Sequence, residues 1–183
     1  MFVAISGYHG SGKSTTARLV AQALGFSYHS TGKIFRQMAQ ERDMSLVEFN
    51  QFAGTHPEVD RQLDDRVVDL ARGGNCVLEG QLVSFLTKDL PDGLRVFLWC
   101  PEEVRVERMR ERDSESDVCS ILEETKKRAE SERKRFIELY GVDLGDFSSI
   151  LEANHLVVDT SRFNVDDTVA IVLAAARLAG NKV

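Results

Sequence analysis

Short apolar runs punctuate the chain, and longer segments with helical periodicity lie between them. The runs are Phe2 to Ile5, Cys76 to Leu78, Val96 to Cys100 and Leu156 to Val158, with Phe26-Ser27-Tyr28 as a weaker fifth. Continuous apolar runs of this length suit strands buried on both faces, and their alternation with helices predicts a parallel sheet. The pattern therefore predicts a doubly wound α/β fold, with a five-stranded parallel sheet and helices on both faces. In such sheets ligands lie beyond the carboxyl ends of the strands, so the residues that follow each run are the ones to inspect.

The intervening segments carry recognisable helix signals. Ala17, Val20 and Leu24 share one face after the first run. Thr31 is a candidate cap for a helix that carries Arg36 in its second turn. Ser45-Leu46-Val47-Glu48 reads as a capping box. Pro57 suits a first helical turn, Val59, Leu63, Val67 and Leu70 form the stripe behind it, and Gly73-Gly74 ends it. The opposite face carries Asp60, Arg61, Asp64 and Asp65, either a ligand-reading surface or a solvated one. The last helix shows Val165, Val169, Val172 and Ala176 on one stripe.

After Pro101 the chain turns strongly charged. Arg105, Arg108 and Arg112 share a helical face, and between Leu122 and Phe136 only Ala129 is apolar. A solvated, salt-bridged helix has this composition, and so does a lid that closes over phosphates. Beside a phosphate loop the lid is the favoured reading, over about residues 113–135.

Composition narrows the class. A length of 183 residues suits one domain, taken as 1–183, with a core that needs no disulfides. The net charge of −6 argues against a nucleic-acid coat. Cys76, Cys100 and Cys119 form no C-x-x-C pair, which argues against a zinc site. No signal peptide precedes the first run and no run would span a bilayer, so a cytoplasmic protein without a membrane partner is expected. Oligomeric state leaves no mark on the sequence.

The chemistry begins at Gly7-Tyr8-His9-Gly10-Ser11-Gly12-Lys13-Ser14-Thr15, between the first strand and the first helix. This is the phosphate-binding P-loop in its required context. Glycines let backbone N–H groups turn inward around a triphosphate, and the helix presents its positive dipole end to it. Lys13 supplies a mobile ammonium for the β- and γ-phosphates of ATP, and the Ser14 hydroxyl can ligate Mg²⁺. Glu79, at the carboxyl end of the third strand, can hold a Mg²⁺-bound water or accept a substrate hydroxyl's proton. A carboxylate there could instead cap the next helix. No Asn-Lys-x-Asp guanine signature occurs within the chain.

In order along the chain, these features resemble the nucleoside monophosphate kinase family, specifically the archaeal type of cytidylate kinase. The resemblance rests on the P-loop, Ser30 to Arg36, Arg42 to Phe49, His56 to Arg61, Val77 to Gly80, Glu130 to Phe136, Tyr140 to Asp143 and Asp159 to Ser161. It implies Mg²⁺-dependent transfer of the ATP γ-phosphoryl group to a small-molecule acceptor, a pyrimidine nucleotide such as CMP or dCMP. The acceptor side would comprise Thr31, Arg36, Asp60, Arg61, Glu79 and Gln81, within and just after a helical region at about 31–73. Arg108, Arg112, Arg128 and Arg135 match the catalytic lid arginines in character. Two departures stand out. The family commonly has threonine at the positions of Lys13 and Ser14, and arginine at the position of Gln81. That arginine would grip the acceptor's phosphate, and a neutral amide binds a dianion more weakly. A kinase acting on a nucleoside or other small alcohol is thus an alternative, and an ATP-dependent switch or assembly factor is another.

Overall fold

A computed structural model of the protein describes residues 1–112, 129, 130 and 132–180, without the Arg112 side chain. Five strands, β1 (Phe2–Gly7), β2 (Ser27–Ser30), β3 (Cys76–Glu79), β4 (Gly93–Trp99) and β5 (Leu156–Asp159), form one sheet in the order β2-β3-β1-β4-β5. Every pairing is parallel. Central β1 is buried along its whole length. Its side chains alternate between the sheet faces, as the pleat requires. Val3 and Ile5 pack with Ala17, Val20, Val172 and Ala176, while Phe2 and Ala4 pack with Val67, Ala71 and Val83. Helices α1 (Lys13–Leu24) and α9 (Val165–Gly180) therefore cover one face, and α4 (Pro57–Gly73) and α5 (Val83–Leu86) cover the other.

The boundaries differ from the sequence reading in instructive ways. β2 occupies Ser27–Ser30 rather than Phe26 to Tyr28, because its pairing with β3 fixes the register and its polar residues lie at an edge. β4 begins at Gly93, ahead of the apolar run; a Cβ there would lie 2.1 Å from the Phe2 ring, so glycine lets that ring cross the strand. β3 includes Glu79 as its final residue. The cap of α2 (Thr31–Gln40) is Ser30 and not Thr31, since strand runs into helix with no loop and Thr31 is already helical.

Helices α2, α3 (Leu46–Thr55) and α4 share a small core of Met38, Ala39, Phe49, Ala53 and Val59. The capping box is formed: Glu48 N–H donates to Ser45 Oγ, and Ser45 N–H donates to Glu48 Oε2. On α4, Val59 and Val67 are buried, whereas Leu63 and Leu70 are half-buried. Beyond β4 come α6 (Glu102–Arg112), α7 (132–140) and α8 (Phe147–Ala153). Phe136 of α7 packs with Leu82, Phe97, Leu144 and Ile150. Of the expected lid, residues 113–128 and 131 lie outside the described residues, Arg128 and Cys119 among them. Cys76 and Cys100 are buried free thiols. No helix among the described residues is long and apolar enough to cross a membrane.

Candidate active site

The carboxyl ends of β1 and β3 build the site. β1 passes directly into the glycine loop, where Gly10 at φ 80° and Gly12 at φ 88° adopt left-handed backbone. A side chain at Gly10 would be strained twice, since its Cβ would lie 2.7 Å from the Arg105 carbonyl oxygen. Gly12 is the N-cap of α1, and no side chain caps that helix end. The first-turn N–H groups of a twelve-residue helix thus face the loop with no acidic residue among them. Lys13 is buried with its backbone, and its Nζ donates to the Tyr8 carbonyl oxygen at 2.6 Å.

Glu79 reaches this loop from β3. Its Oε1 accepts from Ser14 Oγ at 3.1 Å and from the Tyr28 hydroxyl at 3.2 Å. Burial and the neighbouring Glu79 carboxylate raise the Tyr28 phenol above its ordinary value. Hydroxyl and carboxylate oxygens in this pairing are the hard donors that Mg²⁺ takes alongside phosphate and water. The uncapped α1 terminus and the glycines that admit close approach fit a nucleotide's phosphates. The residues present therefore fit both ATP and Mg²⁺.

The remaining loop side chains anchor the cradle to its surroundings. The Tyr8 hydroxyl donates to the Leu144 carbonyl at 2.7 Å, its ring meets Phe97 edge-on, and Arg105 lies 4.9 Å over the ring. Burial raises the Tyr8 phenol, and Arg105 opposes that shift. Ser11 is fully buried and Thr15 is exposed. The Thr160 hydroxyl donates to the Ser11 carbonyl at 3.2 Å, and Arg108 donates to Thr160 through Oγ1 at 3.0 Å and through O at 2.5 Å. His9 Nε2 and Gln81 Nε2 both meet Glu132 Oε2 of α7, at 2.8 and 2.5 Å.

A second cluster joins α4 to α7. Asp60 is 5% exposed; its Oδ1 lies 3.8 Å from Arg135 Nε, and its Oδ2 is buried with no partner among the described residues. One turn on, Asp64 Oδ2 accepts from the Tyr140 hydroxyl at 2.6 Å. Burial pushes Asp64 up to about 6, opposed by that hydrogen bond, and burial raises Asp60 against the pull of Arg135. Burial and then Asp64 drive the Tyr140 phenol upward.

The structure thus joins Ser14 with Glu79, holds Lys13 Nζ on the Tyr8 carbonyl of the same loop, and brings together His9 with Gln81 and Asp60 with Arg135. Arg36 and Arg61 are exposed, and Thr31 is half-buried against Gly80, where a Cβ would meet its Oγ1 at 2.2 Å. Sequence reasoning gave no role to Tyr28, Glu132, Tyr140 or Thr160, because each acts on a partner 51 to 149 positions away.

Comparison with known proteins adds the lineage to this geometry. The AAA domain family matches residues 3–138. The cytidylate kinase of Aeropyrum pernix is 42% identical over 96% of this chain and 99% of its own length. This chain belongs to the cytidylate kinase family. The cytidylate kinase of Methanocaldococcus jannaschii is 37% identical, over 96% of this chain and 97% of its own. Among solved structures, a shikimate kinase from Bacteroides thetaiotaomicron superimposes with a TM-score of 0.63 at 13% identity, covering 97% of this chain and 98% of its own. A gluconokinase from Sinorhizobium meliloti gives 0.56 at 19%, with 98% and 93% covered. These establish the P-loop kinase fold. As a member of the cytidylate kinase family, the protein is an ATP-dependent kinase, with ATP as phosphoryl donor.

Proposed function

We propose that the protein catalyses Mg²⁺-dependent transfer of the ATP γ-phosphoryl group to CMP or dCMP. The observation that carries this reading is similarity to cytidylate kinases along 96% of the chain. The site supports it residue by residue. The Gly7–Thr15 loop and the α1 terminus bind the triphosphate, while Lys13 balances charge on the migrating phosphoryl group. Ser14, with Glu79 through a water, would hold the metal, which screens the charge between donor and acceptor. Glu79 also belongs to the acceptor side of the site. Asp60 offers a desolvated carboxylate oxygen, an acceptor for an amino group on the base. Thr31, Arg36, Arg61 and Gln81 complete the acceptor side. Arg108, Arg112, Arg128 and Arg135 would neutralise charge on the transferring phosphates, since arginine's fork suits phosphate oxygens. In-line transfer then needs positioning and charge neutralisation, and no protein nucleophile.

One observation favours a second reading, a nucleoside or other small alcohol as acceptor: at position 81 the structure holds a neutral amide hydrogen-bonded to a carboxylate. A coupled assay with ATP against CMP, dCMP, UMP, AMP, cytidine and uridine tests both. Preference for CMP or dCMP is expected. Preference for a nucleoside over every monophosphate would overturn the first reading.

A further inference from the structure

Gln81 Nε2 and His9 Nε2 lie 3.1 Å apart, so the two side-chain tips share one location between the P-loop and the end of β3. Both point at a single oxygen, Glu132 Oε2. A carboxylate only accepts hydrogen bonds, so each nitrogen presents an N–H to it. Two convergent N–H donors on an anionic oxygen are the arrangement a phosphate oxygen also takes. His9 and Glu132 are largely buried, at 24% and 15% side-chain exposure, so the contact is shielded from salt.

We propose that His9 and Gln81 together form the acceptor-phosphate clamp, and that Glu132 is an internal carboxylate occupying this clamp until the acceptor displaces it. The proposal rests on the monophosphate-kinase reading above. Its logic is positional: any phosphate within reach of the tip at position 81 is within reach of the imidazole. The imidazole adds a second N–H donor at the place where position 81 lacks an arginine. Glu132 and a phosphate dianion cannot share the two donors, because adjacent like charges repel strongly in a partly desolvated site. The carboxylate therefore acts as a competitor built into α7, and acceptor binding and release of α7 from the P-loop become linked events.

Steady-state kinetics on the full chain test this, with the acceptor and ATP varied separately. His9→Ala should raise KM for the preferred monophosphate about ten- to a hundredfold, the loss of one charge-assisted bond, and change KM for ATP less than threefold. Glu132→Gln should lower that acceptor KM, since a neutral amide competes less well than a carboxylate. Adding Gln81→Arg to His9→Ala should recover acceptor affinity by supplying a forked N–H donor at the shared location. An acceptor KM within twofold of wild type in His9→Ala overturns the clamp while leaving the monophosphate reading intact. A rise confined to the ATP KM does the same. If the wild type accepts no monophosphate, both the clamp and that reading fail.

Discussion

Asp64 offers a substitution that should stabilise the protein by removing a charge. In the folded chain it titrates at about 6, against an ordinary value of 3.8, because burial between α4 and α7 opposes its ionisation. Between those two values the folded state binds a proton that the unfolded chain does not, so this contribution to stability falls as pH rises from about 4 to 6. Above pH 6 the ionised carboxylate carries a constant cost. The full shift corresponds to about 3 kcal/mol, and solvent access to the half-buried group reduces that to about 1 kcal/mol. Asp64→Asn keeps an oxygen for the Tyr140 hydroxyl and cannot ionise. The variant should exceed wild type by about 1 kcal/mol at pH 7.5, or about 2–4 °C in Tm, and keep only about a third of that advantage at pH 4.5. Asp143, Asp146 and Asp159 behave oppositely. Their partners hold them below the ordinary value, so they lose stability as pH falls through their folded values, equally in both proteins. Thermal unfolding of the pair across pH 4.5 to 8 isolates the difference. A variant no more stable than wild type at pH 7.5, or an advantage independent of pH, would refute the reasoning.

Lys13→Ala should lower kcat at least a hundredfold with far-ultraviolet circular dichroism unchanged, since the ammonium acts on transferring charge. Gly80→Ala drives a methyl to 2.2 Å from Thr31 Oγ1 and should cost about 1–3 kcal/mol, read as a lower urea midpoint. Ser45→Ala removes half of an exposed capping box and should cost about 1 kcal/mol while kcat/KM stays at the wild-type value.

How far the sequence could be read depended on whether the signal was local. The P-loop was legible because its chemistry demands glycine at fixed offsets from one lysine, and Gly10 and Gly12 do adopt the backbone that only glycine tolerates well. The Ser45 box was legible for the same reason, both halves lying within four residues. β2 was misplaced because an edge strand need not be apolar; Ser27 and His29 take their conformation from β3. The long-range pairs around the candidate site gave no local signal at all. Asp64 and Tyr140, or His9 and Glu132, become neighbours only once α7 has folded back onto the sheet. Arg108 was legible as a phosphate-binding type, yet its guanidinium meets Thr160, a contact that needs β5 in place.

Thr160 carries a consequence for what holds the phosphate loop in shape. Its hydroxyl closes onto Ser11 across 149 residues of chain, and its backbone N–H donates to Trp99 at 2.8 Å. The candidate nucleotide cradle follows β1, but one of its backbone carbonyls is tied down by Thr160, the residue just after β5. Closing so long a loop costs entropy before the contact repays it. Rigidity of the loop and docking of β5 are thus linked, so a nucleotide bound to the loop would favour the docked sheet.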